Sequence, residues 1–409
     1  MLKKIKPYIC ILTLLYITSC NLNTENTTTT EPSQEITTDV ITEKIQPVEI
    51  EKIENTLIEP EKKFEDIIAE KLNSMTLEEK VGQMFIVDLE SFSATSPVTT
   101  INELDIDKIK EYNIGGFIFF APNIVTPEQI TSLNNNLNEI FNDTNLFLSV
   151  DEEGGQVARI SNNINFPESK FANMNTVKTY DEAYEIGNTI GSYLKKYGFN
   201  LNYAPLCDVL VNSENTVVQN RSFSSDPIEV TLMSEQILSG LHNNYIQGVA
   251  KHFPGHGSTT EDTHDDFAIS YSTLEEMKTS ELLPFENLIN KKIDMIMISH
   301  VIYPNLSKNQ LPATLNYDII TTLLKNDMGY EGIVITDAMN MGAISNNYDI
   351  SDSTVMSVQA GADIILLPTN FLKSYNALLN SVKTGIISEE QINASVKKIL
   401  TLKYKIKGE

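Results

Sequence analysis

Short apolar runs alternate with amphipathic stretches along most of this chain. Eight apolar runs have the length and composition of buried strands, at residues 84–89, 116–120, 146–150, 199–209, 248–252, 295–300, 332–336 and 363–367. Near-continuous apolar strands with helices between them are typical of a parallel sheet covered on both faces. Eight such units predict an α/β fold, a (β/α)8 barrel of the TIM type. A doubly wound open sheet is the alternative, because periodicity alone does not separate the two folds.

Helix start signals precede several of the amphipathic stretches. Thr76 and Glu79 have the spacing of a capping box, in which each side chain accepts a hydrogen bond from the backbone of the other residue. Thr126 is followed by Pro127, an order that puts a capping residue before the first helical position. We therefore expect helices to begin at these two places.

Polar side chains stand at the carboxyl ends of five predicted strands. They are Asp151, Asp208, His252, His300 and Asp337. In a barrel the carboxyl ends of all strands share one face, and that face holds the active site. In an open sheet the same five ends would be spread along a wider line. Their positions therefore favour the barrel.

The acidic composition limits the partners of the protein. Its 409 residues include 55 acids and 30 bases, which gives a formal net charge of −25. Because nucleic acids and anionic membranes are also negative, we expect neither to bind the body of the protein. The hydrophobic fraction of 41% is that of a globular chain, and we expect a monomer.

The first twenty residues have the order of a secretory signal. Lysines at positions 3, 4 and 6 precede an apolar stretch at 8–17, which is too short to span a membrane. The following sequence, Ile17-Thr18-Ser19-Cys20, resembles a bacterial lipobox, in which Cys20 becomes the lipidated first residue. A plain signal peptide in which Cys20 is incidental is the alternative.

These features predict three segments along the chain. Residues 1–19 form a lipoprotein signal peptide, residues 20–62 a disordered, acidic and Thr-rich tether, and residues 63–409 a single catalytic domain. The tether is too poor in apolar groups to offset the entropy of ordering. We therefore expect an exported protein that a lipid anchor holds to a membrane, at the cell surface or in the periplasm.

Titratable residues are concentrated in the segment 251–270, which reads KHFPGHGSTTEDTHDDFAIS. Three of the five histidines of the chain lie here, together with one lysine and four acids. Packed cores do not carry such a density of charge. We expect a strand end that leads into a long loop, where polar groups converge on a small ligand.

Further motifs occur in a defined order along the chain. They are MTLEEKVGQ at 75–83, DEEGGQVAR at 151–159, NYAP at 202–205, NRSF at 220–223, KHFPGHG at 251–257, DTH at 262–264, SHV at 299–301 and TDAM at 336–339. Together they resemble glycoside hydrolase family 3, in its bacterial single-domain β-N-acetylglucosaminidase branch. The resemblance implies a retaining exo-β-N-acetylglucosaminidase without a cofactor. Its expected substrate is a glycan with a terminal β-linked GlcNAc, such as a peptidoglycan fragment.

The resemblance assigns Asp337 as the nucleophile and His264, paired with Asp262, as the acid/base group. The residue types suit these roles. A carboxylate can form a covalent glycosyl intermediate, and an imidazole can exchange protons near neutral pH. Two alternatives stay open from the residues alone. Asp337 could cap the following helix, and His264 could be a surface histidine in an acidic loop.

The resemblance also assigns five sugar-binding residues, Asp151, Arg159, Arg221, Lys251 and His252. Structural ion pairing, for example with Asp208, is the alternative for the two arginines. Lys251 and His252 are adjacent, so both can reach a sugar only if the strand twists or bulges there. We expect no metal site, because segment 251–270 lacks the histidine spacing of a helical zinc site and the spacing of a calcium loop.

Two residues depart from the family pattern. The family usually has glutamine and arginine at the positions occupied here by Glu152 and Gln156.

Two other functions also stay open. A histidine acid/base adds no negative charge near an anionic acceptor, so a β-N-acetylglucosaminide phosphorylase is one alternative. A catalytically silent sugar-binding lipoprotein is the other, although the intact Asp262, His264 and Asp337 argue against it.

Overall fold

The structure is a computed structural model of the chain, and it describes residues 63–143 and 145–408. The expected signal peptide, the lipidated Cys20 and the tether at 20–62 lie outside the described residues, so they stay predictions. Within the described ranges, no helix is both long and apolar enough to cross a membrane.

Parallel strands form the centre of the described fold. They are β1 Phe85–Asp88, β2 Gly116–Phe119, β3 Phe147–Val150, β4 Leu201–Asn202, β5 Gln247–Gly248, β6 Ala250–Phe253, β7 Met295–Ile298, β8 Ile333–Thr336 and β9 Ile365–Leu366. Each of the eight predicted apolar runs contains a strand. The run at 248–252 is shared by two strands, because β5 ends where that run begins and β6 follows one residue later.

The strands are hydrogen-bonded in two parts that follow each other around a curled sheet. One part has the order β5-β4-β3-β2-β1-β9 and the other has the order β6-β7-β8. Isolated parallel bridges from Leu206 to Lys251 and from Ile335 to Ile364 connect the two parts at both ends. The order is consecutive, without the reversal that a doubly wound open sheet requires. The predicted α/β class with parallel strands is therefore confirmed.

Helices cover the outside of the curled sheet. They are α1 Phe64–Ser74, α2 Leu77–Gln83, α3 Ile106–Tyr112, α4 Pro127–Ile140, α5 Tyr180–Lys196, α6 Pro227–Asn243, α7 Leu274–Lys278, α8 Leu283–Asn290, α9 Gly342–Ser345, α10 Ile350–Ala360, α11 Phe371–Lys383 and α12 Glu389–Lys407. A π-helical segment, Asp318–Asp327, lies between β7 and β8. The capping box of Thr76 and Glu79 starts α2, and Thr126 caps α4, as the sequence predicts.

Apolar side chains are buried between the sheet and these helices. The Phe85 ring in β1 is fully buried and meets the Phe371 ring of α11 edge to face, with centroids 5.5 Å apart. Tyr375, one turn further along α11, packs against both rings. Full burial of one such side chain stabilises the fold by about 1.5–3 kcal/mol. The strand ends that carry the polar residues are therefore anchored by a well-packed core.

Candidate active site

A cleft of about 260 Å³ lies at the carboxyl ends of the strands. It is lined by seven of the eight residues that the sequence predicts as catalytic or sugar-binding: Asp151, Arg159, Arg221, Lys251, His252, His264 and Asp337. The eighth, Asp262, does not line the cleft and instead contacts His264 from behind. The curled sheet thus brings together residues that are up to 186 positions apart, since it joins Asp151 and Asp337 in one cleft.

Asp337 directly follows β8 and lies at the base of the cleft. Its backbone N–H donates to the Ile298 carbonyl at 3.0 Å, and its Oδ1 accepts the Ala338 N–H at 2.7 Å. Burial alone would raise the pKa of Asp337, but electrostatic interactions with His252 and His300 outweigh burial and lower it. The carboxylate does not cap a helix, because α9 begins only at Gly342 and is preceded by Met341. An ionised, positioned carboxylate is what a glycosidase nucleophile requires.

His300 supports the segment that carries Asp337. The ring is fully buried, and its Nε2 donates to the Ala338 carbonyl at 3.0 Å. Its Nδ1 shares a hydrogen bond of 2.7 Å with the Thr314 hydroxyl. Burial lowers the pKa of His300. This histidine therefore orients the backbone beside the carboxylate and does not itself line the cleft.

His264 stands on the loop after β6, at the mouth of the cleft. Its Nδ1 lies 2.7 Å from the Asp262 carboxylate, which also accepts the His264 backbone N–H at 2.9 Å. Burial would raise the pKa of Asp262, but the N–H and ring of His264 lower it. The His264 side chain is 64% exposed. With Nδ1 held by a carboxylate, Nε2 is the ring nitrogen left for proton transfer to a ligand.

The loop of His264 rests on the start of α9, close to Asp337 in the chain. The Gly342 N–H donates to the His264 carbonyl at 3.0 Å, and the Ala343 N–H donates to the Thr263 carbonyl at 3.2 Å. The Asn346 side-chain amide adds a bond of 3.2 Å to the Asp265 carbonyl. The segment that follows the candidate nucleophile therefore carries the candidate acid/base loop.

A chain of ion pairs also lines the cleft. Lys251 Nζ lies 2.9 Å from Asp151 and 2.6 Å from Glu153. Arg221 binds Glu153 with two hydrogen bonds, of 2.9 Å from Nε and 2.7 Å from Nη2. Arg159 is more loosely placed, with Nη2 3.6 Å from Asp151. Of the two arginines, Arg221 therefore makes the tight structural ion pair, although its partner is Glu153 and not Asp208.

The three buried members of this network, Glu153, Arg221 and Lys251, keep their charges at neutral pH. Burial alone would raise the pKa of Glu153, but the charges of Arg221 and Lys251 hold it far below its usual range. Burial opposes the charged forms of both cations as well, yet the neighbouring carboxylates raise the pKa of Arg221 and of Lys251. The cleft wall is thus a set of fixed, paired charges that can hydrogen-bond sugar hydroxyls.

Lys251 and His252 both face the cleft, although they are neighbours in β6. The pairing of β6 with β7 is irregular between Ala250 and Phe253, and the Lys251–His252 peptide bond is cis. The sequence left open whether the strand bulges here, and the structure shows that its register is irregular. Both side chains line the cleft for this reason.

Asp208 holds His252 from behind. Its Oδ2 lies 2.7 Å from His252 Nδ1, and its Oδ1 accepts the His256 N–H at 2.7 Å. Burial would raise the pKa of Asp208, but the electrostatic interaction and hydrogen bond with His252 lower it. The residue is fully buried and does not line the cleft. Asp208 therefore supports His252 and His256 and is not a ligand contact.

Comparison with known proteins agrees with the geometry. The sequence model of the glycosyl hydrolase family 3 N-terminal domain matches residues 76–402. The chain belongs to glycosyl hydrolase family 3. This membership confirms the resemblance that the motifs indicated.

Several members of family 3 are similar over most of this chain. Beta-hexosaminidase A of Pseudoalteromonas piscicida is 31% identical over 370 residues, 81% of this chain and 62% of that protein. Beta-hexosaminidase LpqI of Mycobacterium tuberculosis is 28% identical over 80% of this chain and 82% of its own length. A solved family 3 β-N-acetylglucosaminidase from Paenibacillus sp. str. FPU-7 has a TM-score of 0.75 and 34% identity, over 82% of this chain and 63% of that one. This chain thus spans less than two thirds of the Pseudoalteromonas and Paenibacillus proteins.

The departure from the family pattern at Glu152 has a structural explanation. The carboxylate is fully buried and accepts the backbone N–H groups of Arg159, Ile160 and Ser161 at 2.6–2.9 Å. It also accepts the Tyr193 hydroxyl at 2.7 Å. Four donors converge on two oxygens, so a carboxylate fits better than an amide, whose NH2 group would face donors. Glu152 therefore fixes the loop that carries Arg159.

Glu153 is the functional-site residue that sequence reasoning missed. It lies two positions after Asp151, and residues at this spacing share one side of an extended segment. That spacing beside a predicted sugar-binding aspartate was the available signal. In residues 63–143 and 145–408, no cluster of three or more His, Cys, Asp or Glu side chains is arranged to hold a metal ion.

Proposed function

We propose that this family 3 protein is a retaining exo-β-N-acetylglucosaminidase, which removes a terminal β-linked GlcNAc. The observation that carries the proposal is the meeting of the lowered-pKa carboxylate of Asp337 and the Asp262–His264 pair at one cleft. The names of similar family 3 proteins, beta-hexosaminidase and β-N-acetylglucosaminidase, support the same activity.

The proposed reaction is a double displacement. The Asp337 carboxylate attacks the anomeric carbon while the glycosidic bond breaks, and His264 gives its proton to the leaving oxygen. Water then attacks the anomeric carbon of the glycosyl-aspartate, and His264 takes one proton from that water as the bond to Asp337 breaks. Asp262 keeps the ring oriented and stabilises its charged form, which is present before the first step and is restored by the second.

The charged wall of the cleft is the proposed sugar site. The outer carboxylate of Asp151 can accept hydrogen bonds from sugar hydroxyls, and Lys251 and Arg159 can donate to sugar oxygens. Arg221 contributes mainly through its ion pair with Glu153. Asp208 holds His252 at Nδ1, which leaves the rest of the ring for the cleft. Each role follows from the side that the group turns to the cleft.

The complete fold, the location of the protein and its natural substrate are proposed mainly from the sequence. We propose that the described residues belong to a complete TIM-type (β/α)8 barrel, since eight parallel strand positions follow each other around the curled sheet. The lipobox at Cys20 supports an exported, membrane-anchored lipoprotein. An enzyme held at the cell envelope would meet peptidoglycan fragments, which we propose as its natural substrate. We propose no cofactor, no nucleic-acid partner and a monomeric state.

Turnover of a chromogenic GlcNAc β-glycoside tests the nucleophile. Asp337→Ala should lose at least about 10³-fold in kcat, because the covalent step disappears. Asp327→Ala is the matched control, because Asp327 is exposed at the end of the π-helical segment and does not line the cleft. Ordinary turnover by a folded Asp337→Ala variant would refute the assignment.

Phosphorolysis is the second candidate function. It is favoured by one observation, that the candidate acid/base group is an exposed imidazole and not a carboxylate. A neutral ring does not repel an incoming phosphate, which could then replace water. Mass spectrometry of products formed with and without phosphate distinguishes the two, because only phosphorolysis yields GlcNAc 1-phosphate. Glycan binding without any product would instead indicate a silent sugar-binding protein.

A further inference from the structure

We propose that Glu153 is a positioning residue that sets the charge of the sugar site, a proposal that rests on the function proposed above. It acts through Lys251 and Arg221, which it holds in place and neutralises. Its loss should weaken binding of positively charged ligands far more than binding of neutral ligands of the same shape.

Glu153 borders the cleft, and the contacts of its carboxylate are with two cations of the cleft wall. Its side chain is only 3% exposed, and both oxygens are engaged. Oε1 meets Lys251 at 2.6 Å and Arg221 Nη2 at 2.7 Å, while Oε2 accepts Arg221 Nε at 2.9 Å. A carboxylate whose oxygens are both engaged in this way orients Lys251 and Arg221.

The balance of charge around Glu153 explains why it matters. Three cations, Arg159, Arg221 and Lys251, stand beside two carboxylates, Asp151 and Glu153. Without Glu153, Asp151 would be the one carboxylate left in this set in direct contact with the cations, since Asp208 acts on Arg221 only through its charge. Arg221 is 10% exposed and Lys251 3% exposed, so solvent would screen the excess charge poorly.

The excess charge would act most strongly where the substrate becomes positive. The glycosyl transition state resembles an oxocarbenium ion, whereas the bound substrate is neutral. An added positive potential therefore opposes the transition state more than the ground state, and kcat should fall more than KM rises. Simple loosening of the cleft would affect neutral and charged ligands alike.

Calorimetry with two ligands of similar shape tests this difference. The probes are a basic iminosugar analogue of GlcNAc, which is protonated at neutral pH, and the corresponding neutral lactam. In Glu153→Gln, affinity for the iminosugar should fall about tenfold more than affinity for the lactam. Equal losses for the two ligands would overturn the proposal.

A second variant keeps the test decisive if Glu153→Gln folds poorly. Arg221→Gln removes one cation and should shift the iminosugar-to-lactam ratio in the opposite direction. The double variant Glu153→Gln/Arg221→Gln should return the ratio to within about threefold of the wild-type value. A ratio that moves the same way in both single variants would overturn the proposal, because charge would then not be the cause. Glu214→Gln, which removes an exposed acid, is the control and should leave the ratio unchanged.

Binding also separates this proposal from the function on which it rests. If neither GlcNAc analogue binds the wild-type protein, the proposed function fails together with the role of Glu153. If both analogues bind the wild type, and Glu153→Gln has the same iminosugar-to-lactam ratio as the wild type, the role of Glu153 is refuted and the proposed function is not. Neither measurement depends on turnover, so loss of activity in a variant does not affect the result.

Discussion

The contact between the His264 loop and α9 predicts a specific effect of one added methyl group. A Cβ at Gly342 would lie 2.3 Å from the Asp265 carbonyl oxygen and 2.7 Å from the His264 carbonyl oxygen. Both neighbours are backbone atoms, so no flexible side chain can swing away. Ordinary contact begins near 3.4 Å, and the loop must therefore recede by about 1 Å.

The size of the effect follows from that displacement. Misplacing a catalytic group by 1 Å can cost about 10²-fold in rate, and general acid catalysis contributes about 10²–10⁴-fold. We therefore expect Gly342→Ala to lower kcat/KM by about 30- to 100-fold for substrates with poor leaving groups. Substrates whose leaving group departs without a proton should lose less than about fivefold in the first step, because they do not need His264 as an acid.

A series of aryl GlcNAc β-glycosides with leaving groups of increasing basicity measures this difference. Gly342→Ala should steepen the dependence of kcat/KM on leaving-group basicity. Gly329→Ala is the control, because nothing lies within 4 Å of a Cβ there, although its φ of +68° should cost some stability. Wild-type rates for the poorest leaving groups in a folded Gly342→Ala protein would refute the reasoning.

Three further predictions concern stability. Burial raises the pKa of Glu281 from 4.5 to about 7. The folded protein then keeps a proton that the unfolded chain releases above 4.5, so this residue should lower the free energy of unfolding by roughly 3 kcal/mol as pH rises from 4.5 to 7. Urea titrations across this range should show that component in wild type and not in Glu281→Gln. Glu152→Gln should destabilise the protein by about 1–3 kcal/mol, seen as a lower urea midpoint, because its amide would face backbone donors. Phe85→Ala should cost about 3–5 kcal/mol in the same titration, because it leaves a cavity beside Phe371; a loss under 1 kcal/mol would contradict the packing described.

Much of the fold was readable from local pattern. Every predicted apolar run contains a strand, because a strand buried on both faces must be apolar along its whole length. The run at 199–209 shows the limit of that signal. Only Leu201–Asn202 is regular strand, and the chain then continues irregularly to a single bridge between Leu206 and Lys251. Apolar composition reports burial, and buried irregular backbone has the same composition as a buried strand.

The sequence also predicted most residues of the candidate site, but not how they pair. Seven predicted residues line the cleft because the carboxyl ends of parallel strands and the loops that follow them converge on one face. The sequence did not reveal that Arg221 pairs with Glu153 or that Asp208 pairs with His252. The members of these pairs are 68 and 44 residues apart, so their meeting depends on how distant segments approach.

The sequence by itself determined which residues carry charge, which segments contain strands and which chemistry the motifs allow. Only the tertiary structure decided which charges neutralise each other, that Lys251 and His252 face the same cleft, and that the His264 loop rests on α9. The physical reason is one of range. Propensity and apolar periodicity act within a few residues of the chain, whereas ion pairing and loop contacts depend on distances that exist only after the sheet has curled.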